Sequence, residues 1–570
     1  MRKIWNVSPV DKPGCENLRK ALNISPLLAH LLLKRGVSCA DDAREFLSGS
    51  VSSLHSPFLF KDMEKAILRI LSAISRKESI LIYGDYDVDG LTAAALLFMA
   101  LKKRGANVSC HIPDRITEGY GLNIKVLKDA SGNGVNLVIA VDCGVTATEE
   151  VAFLKGCGID CVILDHHQPL KGPLPPAFAI IDPLISGCEY PYKSLASVGL
   201  VFKLIQALRY KADGGSDTEI SGIEEELDFV ALGTISDVAP LTGENRILVK
   251  RGLKHLAATK KKGLRALIKV SGIDKKKEFY SETVGFMLGP RINASGRVGS
   301  SLQSLKLLLT EDETEADSLA KALDSNNRER QGMEEVILKE AISKVEREVN
   351  FKDHKVIVVS SEKWHPGVIG IVASRIAERF YRPTILVAFS EEIGKGSGRS
   401  IKNFHLFEAL SKCGDHLVGY GGHEYAAGIT ISKDNIDVFR ERFNSVANEV
   451  LQPSDLMPRL EIDAEISLEE LTPGFLKELS LLEPFGVGNR KPVFAVKNLS
   501  LKAKPKPVSS GALKIWVTDG RFTYEAVGFK RVLDFRFDSA PANFSLAFSP
   551  SINNWQGQEI VQLQLKDIQF

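Results

Sequence analysis

The sequence predicts a chain of several domains, two of them α/β and the last an all-β barrel, and three observations carry that prediction. From about residue 65 to 255, short apolar β runs alternate with helix-like stretches, the pattern of a parallel sheet covered by helices. A second α/β segment runs from about 352 to 450. From Arg459 onward, short β runs broken by Pro, Gly and Asn dominate and end in the alternating Glu559–Leu565, most simply a small barrel. At 570 residues the chain is too long for a single core. The expected division is an N-terminal helical segment (1–60), a first α/β domain (61–300), a connecting helix (301–350), a second α/β domain (351–452) and the barrel (453–570).

Each element follows from its pattern. Glu16–Leu22, Ser25–Arg35 and Asp41–Leu47 read as amphipathic helices. Strands are expected at Ile80–Tyr83, Val108–Ile112, Leu137–Val141, Cys161–Leu164 and Ala177–Ile181. Helices are expected at Leu91–Lys103, Thr148–Gly156, Lys193–Tyr210 and Ile223–Gly233. Residues 302 to 349 are charged, with a periodic stripe of Leu305, Leu308, Leu309, Ile337, Ala341 and Val345, which predicts one long connecting helix. Strands Lys355–Val359 and Thr384–Ala388 belong to the second α/β domain.

Composition is that of a soluble globular protein. Lys plus Arg exceeds Asp plus Glu by two (73 against 71), so any anionic partner must be held by local patches. The start of the chain lacks the apolar core of a signal peptide, and Pro26–Leu33 is too short to span a bilayer. The eight scattered cysteines form no zinc set, and reduced thiols in a cytoplasm are expected.

The chemistry is concentrated at strand ends. Asp85, Asp87 and Asp89 stand at alternate positions on the loop after Ile80–Tyr83. Three acids so close repel one another unless cations sit among them. Asp85-x-Asp87-x-Asp89-Gly90 also matches the first half of an EF-hand loop, but the twelfth position, which should be Glu, is Leu96. Asp142 closes Leu137–Val141, Asp165-His166-His167 closes Cys161–Leu164, and Asp237 stands at a helix end or in the following loop. In a parallel sheet all carboxyl ends open on one edge, so these groups converge. Carboxylates and imidazoles without thiolates suit Mn²⁺ or Mg²⁺, and so many acids fit two ions better than one.

Asp85-Tyr-Asp-Val-Asp-Gly90, Val141-Asp-Cys-Gly144 and Asp165-His-His167 resemble the DHH phosphoesterase superfamily. Ile112-Pro-Asp-Arg115, Glu118-Gly-Tyr-Gly121, Gly243-Glu-Asn-Arg246 and Gly289–Arg297 are similar to the RecJ single-strand DNA exonucleases, and the similarity runs over essentially the whole chain. The resemblance implies metal-dependent 5′→3′ hydrolysis of single-stranded DNA to mononucleotides. It implies that Asp85, Asp87, Asp89, Asp142, His166 and Asp237 hold two Mn²⁺ or Mg²⁺ ions. Other DHH enzymes often carry a His where Tyr83 stands. His167 would turn toward the phosphate or against the ligands, with Asp165 orienting its neighbours. The last domain would be an OB-like nucleic-acid-binding barrel. A single-strand-binding protein and a RecQ-like helicase are implied partners, with the enzyme a cytoplasmic monomer that needs no membrane.

For the substrate, Gly394–Ser400 reads as a glycine-rich loop whose backbone could cradle an anion. The resemblance points Ser397, Gly398 and Arg399 at a terminal 5′-phosphate and His423 at the scissile one. It also gives Arg115, Asn293 and Arg297 phosphate or interdomain contacts. Trp364-His-Pro-Gly-Val-Ile-Gly370 opens a helix whose free N–H groups could face phosphate, and Trp364 could pack or stack on a base. Lys504, Lys514 and Trp516, with Lys502, Lys506 and Arg521, are of the type that grips single strands. Three positions depart from the family pattern: Ser295 for Ala, Ser197 for Gly, and Asp182-Pro183 for Asn-Pro. None is expected to touch a candidate ligand. Two other readings share the metal motifs. One is a DHH phosphoesterase for short oligonucleotides or other small substrates, which would lack the barrel. The other is a catalytically dead binding protein, which would lack the acids.

Overall fold

The computed structural model describes residues 3–115, 117–214, 222–508, 511–529, 543–555 and 558–570. Two compact units emerge, the smaller built on Asp324–Leu460 with Arg297–Gly299 and the first five residues, the larger on Asn6–Gly296, Ser300–Leu323 and Glu461–Phe570. No helix among the described residues is long and apolar enough to cross a membrane.

In the larger unit, the first sheet has five parallel strands in the order Asn107–His111, Ser79–Tyr83, Leu137–Val141, Asp160–Leu164, Ala179–Ile181. Apart from Ser79 and Asp160 at their starts, the central strands are apolar and buried, as a sheet covered on both faces requires. Strand order reverses between Ser79–Tyr83 and its two neighbours, Asn107–His111 and Leu137–Val141. That is the switch point at which open α/β sheets bind ligands. The helix after the first strand starts earlier than its apolar run indicates, at Val88 rather than Leu91. Asp87 is its N-cap, and its carboxylate accepts from Asp89 N and Gly90 N. The acidic loop is therefore partly the first turn of a helix.

The barrel is closed. Phe494–Val508, Ala512–Thr518, Thr523–Phe529, Gln558–Gln569 and Phe544–Trp555 pair in that order, and the last returns to the first. Its core is shared with the N-terminal helices, Lys12–Leu22, Pro26–Lys34 and Ala40–Ser48. Leu18, Leu28, Leu31 and Leu32 join Leu468, Leu482, Phe494 and Phe548 in one buried cluster. The N-terminal helical segment thus shares its core with the barrel.

The connecting region is two helices, Ser301–Leu309 and Glu313–Glu348, not one. Thr310 and Asp312 break it. Asp312 Oδ1 accepts from Glu315 N at 2.7 Å, capping the second helix.

In the smaller unit, a five-stranded sheet runs Gly419–Gly422, Ala426–Ser432, Ile393–Arg399, Thr384–Ser390, Ile357–Ser361, with only the last two parallel. The sequence expectation of a glycine-rich loop at 394–400 is wrong, because Ile393–Arg399 is the central strand. Its glycines alternate on the face toward the core. A Cβ at Gly396 would lie 2.4 Å from Ile429 Cγ1, and one at Gly394 2.6 Å from Val387 Cγ1. The small residues make room for large neighbours, and Lys395, Ser397 and Arg399 fall on the other face. Gly396→Val overpacks this sheet. A loss of about 1–3 kcal/mol is expected, read as a lower denaturant midpoint of the transition that includes this unit.

Candidate metal centre

Backbone pairing carries the acids to one edge. Asp142 N donates to Leu164 O at 2.9 Å and Asp165 N to Ile181 O at 3.2 Å, so both sit one rung past their strands. Asp142 adopts a left-handed backbone (φ 64°), which turns the chain sharply at that point. Asp237 caps the C-terminal end of the helix Leu227–Ser236. Three groups of potential ligand atoms result, each with all atoms within 4.8 Å of one another. They are Asp85, Asp87 and Asp142; Asp89, His166 and Asp237; and Asp142, His166 and His167. All six residues expected as ligands are thus brought together. Asp142 and His166 each belong to two groups, as neighbouring ion positions require. His166 Nε2 lies 3.3 Å from Asp142 Oδ1 and 4.0 Å from Asp89 Oδ2.

The electrostatics call for cations. Burial, then repulsion from Asp87, pushes the Asp85 carboxyl up to about 8. Burial, then Asp89, raises Asp237 to about 7. Asp89 and Asp142 are also raised, burial being the larger cause in each. Asp85 Oδ1 is buried without a hydrogen-bond partner. An acceptor left unpartnered among acids fits a hard divalent cation, as does a donor set of carboxylates and imidazoles.

A helix start and a buried acid hold the cluster. Asp89 accepts from Ser197 N (2.7 Å) and Val198 N (2.9 Å), at the start of the helix Ser197–Asp213. Ser197 Oγ donates to Asp142 Oδ1 at 2.8 Å. The expectation that the departures leave the ligands untouched fails here, because Ser197 touches two of them. A serine in an apolar stretch gives no sequence signal for this. Asp165 lies behind the cluster and accepts from Val145 N, His166 N, His167 N and His167 Nδ1. Burial alone would raise Asp165, but His167 and the backbone donors hold it low. Burial likewise opposes charge on His167, yet the bond to Asp165 lifts it to about 9. Tyr120, whose role the sequence does not reveal, donates to Asp142 O (3.2 Å) and lies 3.1 Å from His167 Nδ1. Tyr83 is fully buried and donates to Gly121 O.

The other predicted site residues divide by unit. Arg115 lies over the Tyr86 ring at 4.9 Å, and its charge reaches Asp85. Asn293 is half-buried on the helix Gly289–Val298. In the smaller unit, Arg399 Nη1 donates to Ser397 Oγ at 3.1 Å, and both side chains border Gly370 of the helix Pro366–Phe380. Arg297 donates to Gly367 O at the start of that helix, at 3.0 Å. Two expectations are corrected. The N–H groups of the first turn are not free: Gly367 N is capped by His365 Nδ1, and Val368 N and Ile369 N donate to His365 O. Gly398 turns toward Leu406 in a strand paired on both sides, so its backbone offers no cradle. Trp364 is buried and packs in the core rather than standing ready to stack on a base. His423 is exposed between the hairpin strands, its N–H bonded to Ala426 O. On the barrel, Lys506 and Lys514 are cross-strand neighbours flanking the Trp516 ring at 5.5 and 5.7 Å. Lys514 also pairs with Glu525, and Lys504 is exposed.

A doubly wound sheet with acids and a His pair at its switch point defines a DHH-type metal protein. The chain matches the DHH family N-terminal domain over residues 79–234, the DHHA1 domain over 353–449 and the RecJ OB domain over 462–567. It is 40% identical over 568 residues to the single-stranded-DNA-specific exonuclease RecJ of Bacillus subtilis (strain 168), covering 99% of this chain and 70% of that one. It superimposes on RecJ of Thermus thermophilus in complex with Mn²⁺ with a TM-score of 0.85 and 30% identity, over 100% of this chain and 80% of that one. For the same protein in complex with Mg²⁺ the TM-score is 0.79 at 28% identity, over 100% and 79%. The chain belongs to the RecJ family of the DHH superfamily.

Asp165→Asn would set an amide against the backbone N–H groups it now accepts from. A loss of Mn²⁺ affinity of roughly 10–100-fold is expected, measured by calorimetric titration of the metal-free protein.

Proposed function

We propose that this protein is a metal-dependent exonuclease that hydrolyses single-stranded DNA 5′→3′ from a 5′ end and releases 5′-mononucleotides, in DNA repair and recombination. The observation that carries the reading is the set of three overlapping ligand groups at the switch point, in a chain of the RecJ family. Asp85, Asp87 and Asp142 would hold one Mn²⁺ or Mg²⁺ ion, and Asp89, His166 and Asp237 the other. When bound, such a pair neutralises phosphoryl charge and activates water for in-line attack. The hydrogen bond to Asp165 favours the charged form of His167, which would supply positive charge to a phosphate oxygen. Ser397 and Arg399 grip the terminal 5′-phosphate, His423 the scissile one, and Arg115, Asn293 and Arg297 further phosphates. The Lys506–Trp516–Lys514 ledge and Lys504 hold the strand by charge and stacking. The enzyme works as a cytoplasmic monomer beside a single-strand-binding protein and a helicase.

End-labelled single strands with Mn²⁺ should yield labelled mononucleotide from the 5′ end. EDTA or Asp142→Ala should abolish this, and full activity in Asp142→Ala would refute the assignment. Arg399→Ala should lower turnover of a 5′-phosphorylated strand by roughly 10–100-fold, the loss of about 1.5–3 kcal/mol from a charged hydrogen bond, and should affect a 5′-hydroxyl strand less. Equal turnover of a dinucleotide and a long strand would favour the small-substrate reading.

A further inference from the structure

One sequence motif, Gly243–Arg246, plays no part in the reaction as proposed, and the structure puts it and the loop Glu483–Asn489 against the same short turn. That turn, Val238–Thr242, directly follows Asp237. From one side, the buried Asn245 Nδ2 donates to Pro240 O at 3.1 Å and to Ser194 O at 2.6 Å. Ser194 leads into Ser197, the residue that holds Asp89 and Asp142. One amide therefore ties the segment behind Asp237 to the segment behind two other candidate ligands. Tyr192 adds a second tie, donating to Pro240 O at 3.1 Å.

From the other side comes the loop that leads into the barrel. Leu241 N donates to Val487 O at 2.7 Å. Gly488 has φ 74°, and a Cβ there would lie 2.9 Å from Thr242 Cγ2, while one at Gly486 would lie 2.6 Å from Leu241 Cδ1. The loop itself is fixed. Asn489 Nδ2 donates to Leu482 O and Pro484 O, its Oδ1 accepts from Arg35, and the buried Arg246 donates to Leu481 O and Leu482 O.

We propose that Asn245 and the Gly486–Gly488 loop are positioning residues for Asp237, so that the barrel's own connecting loop sets the geometry of one of the two ion positions. The inference rests on the two-ion reading above. Backbone clamps on both sides of a short turn leave Asp237 little freedom. Loosening either clamp lets its carboxylate drift from Asp89 and His166 but leaves Asp85 and Asp87 in place.

The test is Mn²⁺ titration of the full-length, metal-free protein, followed by calorimetry and by electron paramagnetic resonance, for wild type, Asn245→Ser, Gly488→Ala and the control Lys491→Ala. The expected result is two ions in wild type and control. In Gly488→Ala the ion of Asp89, His166 and Asp237 should be weakened by about tenfold and the other left unchanged, with the melting temperature near wild type; Asn245→Ser also frees Ser194, behind Asp89 and Asp142, so it should weaken that same ion at least as much and the other ion less. Turnover should recover at raised Mn²⁺ with KM for single strands unmoved, which a general loss of packing would not produce. Unchanged affinity for both ions in a folded variant overturns the inference, as does equal weakening of both with a lowered melting temperature. Should Asn245→Ser not fold, Gly488→Ala decides from the opposite side of the turn. A wild type that binds fewer than two ions refutes the metal-centre reading instead.

Discussion

Buried like charge is the constraint on which this structure turns. Asp85, Asp89 and Asp142 are almost fully buried, with Asp237 and Asp87 beside them. Each carboxylate costs several kcal/mol to remove from water unless something offsets it. The fold offsets part through fixed dipoles and donors: the start of the Ser197–Asp213 helix on Asp89, the Ser197 hydroxyl on Asp142, His166 between them. The remainder is left for cations. Much of the larger unit can be read as the scaffold that keeps this cluster from relaxing. Parallel strands deliver the acids, Asp165 stays ionised behind them to orient the histidines, and the turn after Asp237 is clamped on both sides.

The acids were legible in the sequence because they interrupt apolar strands, and an Asp at each strand end is a signal that survives without coordinates. The sheet was legible for the same reason, and the observed strand ends differ from the expected ones by a residue or two. Ser197 and Asn245 were not legible in their roles. They are neutral and small, and what they do depends on which carbonyl or carboxylate the fold brings within hydrogen-bond reach. Gly394–Gly398 misled because clustered glycine ordinarily marks a turn. Here the glycines alternate with side chains that need the opposite face, and only the bulk of Val387 and Ile429 in the neighbouring strands explains their size. The N-terminal helices showed their apolar faces plainly, but nothing local named a partner hundreds of residues away, such as the Asp463 carbonyl that meets His30.

The proposed grip on phosphate falls to side chains. In the smaller unit the backbone amides that could have met phosphate are committed, to ladders in Ile393–Arg399 and to His365 at the following helix. Arg399 is suited to the task that remains, since a guanidinium presents a planar fork and keeps its charge at any working pH. With a formal net charge of only +2, the protein has no long-range field to draw in nucleic acid at high salt, so affinity must come from such local groups.

The sharing of one core by the N-terminal helices and the barrel has a consequence for biosynthesis. Leu28, Leu31 and Leu32 leave the ribosome long before Leu482, Phe494 and Phe548 exist. At about 5–20 residues per second, the early helices wait on the order of half a minute, and up to about a minute and a half, for the strands that cover them. During that interval their greasy faces are open to solvent and to other nascent chains. The barrel, translated hundreds of residues later, is therefore also the domain that finishes the N-terminal helices, and a ribosome that stalls before it releases a chain whose first helices stay uncovered.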